Sequence, residues 1–180
     1  MTLRIEITKD RTDDRIHIRR DDGSVAETRF PKKGPFPHDL VHVVVEDALG
    51  LRGAFWGLVD GGRHPEDIQA LADSLGHASA AKAHAPDPAI VELIQAERLV
   101  ECFEAEIWAE IWAEIWGGPA DLASLRSVAD AAFAQSQVPR LRLSDAAVAD
   151  IRARLAAFRA EWAALPLQGT LACTWPGTPT

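Results

Sequence analysis

Two histidines four residues apart, His38 and His42, open the apolar run that continues Val43-Val44-Val45-Glu46. On a helix, residues i and i+4 stand one above the other on the same face. Two imidazoles held that way form half of a transition-metal site. With His38 at the origin of a helical wheel, His42 falls at about 40°, Glu46 at about 80° and Asp39 at about 100°. Leu40, Val41, Val44, Val45 and Ala48 take the opposite arc, and Val43 sits just beyond the polar one. Imidazoles with oxygen donors beside them favour zinc, or iron and manganese when more carboxylates join. His38 lies in the first turn, where the positive end of the helix dipole favours the neutral, metal-binding imidazole. Two readings follow: a divalent metal or catalytic site, or a solvated polar face with Asp39 as a helix-starting acid.

A metal site needs a third protein ligand. His64, which opens a later helix, ranks first, and His77 and His84 lie in a small, polar stretch beyond it. Glu97, Glu101 and Glu104 share related faces of a long helix. Turned toward His42 and Glu46, they would build a carboxylate-rich bundle site. For a hydrolase, Asp39 or Glu46 is the water-activating base.

The spelling His38-Asp39-x-x-His42 resembles the His-Glu-x-x-His helix of zinc metalloproteases. That resemblance implies zinc on His38 and His42, with Asp39 as the base, one methylene shorter than the glutamate of that family. Glu46 falls too close to serve as the downstream glutamate ligand. A wider pattern resembles an uncharacterised bacterial protein family. It comprises Phe36-x-His38-Asp39-Leu40-x-His42-x-x-Val45-Glu46, then Leu49-Gly50, Phe55-Trp56-Gly57-Leu58 and a closing Leu171 to Pro176. It touches both ends of the chain and implies no activity.

The elements that must position these residues are legible from periodicity. Leu3–Thr8, Arg15–Arg19 and Val25–Phe30 alternate apolar and polar, with turn residues between them, and predict a three-stranded antiparallel meander. Prolines 31, 35 and 37 then stop the sheet. A helix is expected over 37–49 with Gly50 as left-handed cap, and another from Pro65 to Gly76. A long one is expected over about 89–116, followed by helices over about 119–137 and 144–165. Residues 169–175 read as a strand that adds an edge to the meander. The expected fold is therefore α+β: one mainly helical domain over 1–180, with N-terminal strands in 1–36, a helical body over 37–165 and a C-terminal strand and tail over 166–180.

Within the long helix Ala-Glu-Ile-Trp is written three times, ending at Trp116. Each repeat drifts by about 40°. Ile107, Ile111 and Ile115 with Trp108, Trp112 and Trp116 cover half the circumference, and Glu106, Glu110 and Glu114 fall on the wet side. This is either a broad core-facing stripe or an aromatic surface for a partner chain or an apolar ligand, through which a non-enzymatic interaction protein pairs with another chain or with itself, as a homo-oligomer through Trp108, Trp112 and Trp116.

Composition narrows the classes. The chain has 180 residues and a net charge of −8. Residues 1–40 carry nine Lys and Arg against eight Asp and Glu, and the acidic remainder argues against nucleic acid as partner. The basic group Arg29, Lys32, Lys33 suits an anionic ligand or a solubilising surface. Apolar stretches are too short to span a membrane. Cys102 and Cys173 sit in apolar settings, which predicts reduced, buried thiols and a cytoplasmic protein. No nucleophile elbow, phosphate loop or dinucleotide fingerprint occurs.

Overall fold

The computed structural model describes residues 2–71, 86–116 and 121–177, with 110–116 described by backbone alone. Three strands, β1 (Thr2–Thr8), β2 (Asp13–Arg20) and β3 (Val25–Pro31), form the expected meander, and β4 (Thr170–Pro176) pairs antiparallel with β1. The order is β3-β2-β1-β4. Register follows the alternation: Ile5 lies between Ile18 and Cys173, and Ile7 between Ile16 and Leu171. These residues line one buried face of the sheet with Leu3, Ala26 and Trp175. Polar residues such as Arg4, Glu6 and His17 occupy the other.

The helices are α1 (His38–Leu49), α2 (Phe55–Asp60), α3 (described over 65–71), α4 (Val91–Trp116), α5 (Leu122–Gln135) and α6 (Asp145–Ala164). A 3-10 turn, Pro88–Ile90, leads into α4, with Asp87 accepting the Ala89 amide. Asp121 and Ser144 cap α5 and α6 by accepting the amides of Ser124 and Ala147. Gly50, at φ 67°, ends α1 in the left-handed conformation. The expected end of α3 at Gly76 and the stretch holding His77 and His84 lie outside the described residues. Among those described, no helix is long and apolar enough to cross a membrane.

One core joins sheet and helices. Helix α1 runs through its middle, with α4, α6 and α2 packed around it, so every side chain from Leu40 to Glu46 is buried. Of the two readings of the polar arc, the solvated face does not hold, since the arc meets α4. Sheet and helices are also stitched by Lys9. Its ammonium lies over the Trp162 ring and donates to the carbonyls of Trp162 and Leu165, capping the negative end of α6.

The apolar run Ala54–Val59 folds as α2, which packs on α1 through Trp56. The Trp56 indole N–H donates to the Asp39 carbonyl at 3.0 Å and its amide to Glu46 Oε2 at 2.9 Å, two points two turns apart on α1. Next to it, a Cβ on Gly57 would lie 2.0 Å from the Arg52 carbonyl oxygen. Gly57→Ala is therefore expected to unfold the chain or lower its melting temperature sharply, although alanine is the better helix former. Thermal unfolding followed by circular dichroism reads this, and an unchanged or raised midpoint would contradict it.

Candidate metal centre

The polar arc of α1 meets a matching arc of α4. His38 pairs with Glu104 and His42 with Glu97, so the two helices run antiparallel. Three donor atoms converge. The Nε2 atoms of His38 and His42 are 3.2 Å apart, and Glu97 Oε2 lies 3.1 Å from the second and 3.6 Å from the first. A four-coordinate centre with bonds of 2.0–2.1 Å sets its ligand atoms about 3.3 Å apart. The triangle has those dimensions, and the same three residues form the one potential metal-binding group of at least three donors among the described residues.

What lies behind the imidazoles fixes their tautomers. His38 Nδ1 is 2.9 Å from Glu104 Oε1, and His42 Nδ1 is 2.8 Å from Glu46 Oε1. An ionised carboxylate only accepts, so each Nδ1 carries its proton and donates it. Both Nε2 atoms are thereby presented to the same point. Glu46 is in turn fixed on its other oxygen by the Trp56 amide. This is the arrangement in which a carboxylate orients a ligating histidine and raises its basicity.

Burial is steep across the site. The side chains of His42 and Glu46 are 6% and 0% exposed, whereas Glu97 is 35% exposed and Lys33, beside it, 52%. Burial lowers the pKa of His42, but its hydrogen bonds to Glu46 and Glu97 outweigh this and hold it at about 10. For His38, burial is likewise outweighed by Glu104 and Glu97, and its pKa is raised. Burial would raise Glu97, yet the two imidazoles hold it well below the usual carboxylate range. Glu46 is pushed up by burial, against the pull of His42 and the amides of Trp56 and Phe55. His42 Nε2 faces both Glu97 Oε2 and His38 Nε2, at 3.1 and 3.2 Å.

Of the residues singled out in the sequence, His38, His42 and Glu97 come together, with Glu46 and Glu104 behind them. His64 does not join them. It is exposed at the start of α3, its Nδ1 accepting the Glu66 amide at 3.4 Å. Glu46 has both oxygens engaged in the core, so it positions His42 and has no free lone pair directed at a water. Asp39 is half-buried; burial raises its pKa while the charges of His38, His42 and Lys33 oppose the rise. Glu101 turns away to pair with Arg98 at 2.6 Å. His77 and His84 lie outside the described residues.

Two further side chains take places that the sequence left open or misassigned. Lys33, in the basic group for which an anionic ligand or a solubilising surface was expected, points its Nζ at His38 Nε2, 3.1 Å away. Glu106, expected on the wet side of the repeat, is largely buried against α6, where Arg152 reaches both of its oxygens at 3.0 and 2.5 Å. Of the tryptophans of the repeat, Trp108 has a described side chain, and those of Trp112 and Trp116 lie outside the described residues. Trp108 is 40% exposed, and a Cβ on Gly34 would lie 3.1 Å from its ring.

No protein family, curated protein or solved structure matches the chain.

Two predictions test the frame of the site. Glu46→Gln keeps the shape but offers one acceptor oxygen to two donors, the His42 Nδ1–H and the Trp56 amide. It should destabilise the fold by about 1–3 kcal/mol in urea unfolding followed by tryptophan fluorescence; an unchanged midpoint would show that the pair is not closed. Both thiols are buried and unpaired. Burial pushes Cys173 up to about 12 and raises Cys102, with Glu101 and Glu106 adding to the latter. At pH 8 a disulfide reagent should therefore titrate no thiol in the native protein and two in urea.

Proposed function

We propose that this protein binds one divalent metal ion through His38 Nε2, His42 Nε2 and Glu97 Oε2, and that it is a metal-dependent hydrolase. The observation that carries the reading is the convergence of these three atoms while both Nδ1–H groups are held by carboxylates. A structural ion-pair network needs no such focus. Two imidazoles and one carboxylate form the donor set of several catalytic zinc sites, and zinc is the first expectation; iron is held by the same set in non-haem oxygenases. Three protein ligands leave a position for water, as a hydrolytic centre requires.

Asp39, next to His38 in the chain and electrostatically coupled to His38, His42 and Lys33, is the residue we assign as the base that would accept the proton of such a water. Glu46 and Glu104 orient the imidazoles. The buried free thiols support a reducing compartment such as the cytoplasm.

Metal-stripped protein should take up one zinc per chain, measured by calorimetry and elemental analysis. Glu97→Ala, at a half-exposed position that leaves the core intact, should weaken binding by about 100-fold, within the range for loss of a direct or supporting ligand. Zinc-loaded protein should hydrolyse activated p-nitrophenyl esters, and Asp39→Asn should retain zinc while losing that activity. Absence of zinc uptake, or uptake indifferent to Glu97→Ala, would overturn the metal site. Zinc binding without Asp39-dependent turnover would leave a metal-binding protein and overturn the hydrolase.

A further inference from the structure

The open side of the triangle is the side of Lys33. His42 and Glu46 form its buried back wall, whereas Glu97 and Lys33 form the solvent-facing mouth. Lys33 Nζ lies 3.1 Å from His38 Nε2 and 3.9 Å from Glu97 Oε1, so one ammonium spans two of the three donors.

The backbone brings it there. Lys33 belongs to the strap between β3 and α1, bounded by Pro31 and Pro37, and the Trp108 ring packs against Gly34. The neighbouring lysine is turned the other way: Lys32 pairs with Asp14 at 3.3 Å and donates to the Asp10 carbonyl. Two consecutive lysines are thus divided, one to the sheet and one to the site.

A dication at the triangle would take the His38 lone pair that the ammonium now uses. It would also repel the ammonium, leaving two positive centres a few ångströms apart with solvent between them. A ligand with two oxygens sharing a negative charge satisfies both. We infer that the substrate or ligand of this centre carries such an oxyanion, a carboxylate or a phosphate, with one oxygen toward the metal and another on the Lys33 ammonium. This rests on the metal-binding reading above. With a chain charge of −8, capture depends on contact geometry and gains nothing from long-range attraction.

Cobalt(II)-loaded protein provides the test, because the visible spectrum reports the metal's ligands directly. Wild type, Lys33→Met and Lys33→Arg would each be titrated with inorganic phosphate and with acetate. All three should hold one cobalt per chain. At least one anion should saturate a spectral change in wild type, about tenfold more weakly in Lys33→Met, with most of the loss recovered in Lys33→Arg. A response to phosphate alone or acetate alone assigns the kind of oxyanion. Equal cobalt uptake with equal anion affinity in Lys33→Met, or no anion response in wild type, would overturn the inference while leaving the metal site standing. No cobalt uptake by wild type would overturn both.

Discussion

The structure turns on one buried pair. His42 and Glu46 sit one turn apart on a helix that is enclosed for most of its length, and their hydrogen bond is closed from outside by the Trp56 amide. A charge taken out of water costs several kcal/mol unless paired and hydrogen-bonded, and each neighbour of this pair answers that demand. The short helix α2 exists at a fixed distance from α1 because Trp56 must reach both Asp39 and Glu46. Gly57 follows from it, since the helix that delivers Trp56 runs against the Arg52 carbonyl. On the other side of His42, α4 must supply Glu97 to complete the imidazole.

From this follows the antiparallel packing of α1 on α4. Four residues along α1 are matched by seven along α4 between the Glu104 and Glu97 contacts. The two helices therefore do not offer a regular ladder; they bring two carboxylates to two histidines in different ways. Glu104 binds the back of its imidazole and Glu97 the front. That difference separates a residue that orients an imidazole from one that, in the proposed centre, would coordinate. It is set by helix phase rather than by residue type.

Local patterning made most of the fold readable. Alternation over residues 3–30 and 169–175 specified both faces of a four-stranded sheet, and Gly50, Ser144 and the prolines marked ends correctly because their effects are confined to one turn. The site was readable only in half. His38 and His42 share a helix, so their spacing encodes their juxtaposition. Glu97 is 55 positions away from His42, and only the packing of α1 on α4 selects it over Glu101 or His64. The polar arc left two readings open for the same reason: polarity alone does not distinguish a wet face from one that meets another polar face. Glu106 repeats that lesson, with Arg152 of α6 as the unseen partner. Lys33 was legible only as one of a basic group with two open roles, and the strap geometry separates it from Lys32.

An apolar filling of the space around residues 42 and 46 would serve stability as well or better, since buried ion pairs are frequently matched or exceeded by hydrophobic replacements of the same shape. What an apolar filling would lose is orientation. The Glu46 and Glu104 carboxylates each hold one Nδ1 and so turn both Nε2 atoms toward a single point beside Glu97. A network selected only to keep charges satisfied has no need to arrange three donors at ligand spacing, nor to place them where burial falls from complete at Glu46 to partial at Glu97 within a few ångströms. Rigidity behind and access in front are the two conditions the proposed centre would require together, and the observed burial gradient across one pair of helices is consistent with both.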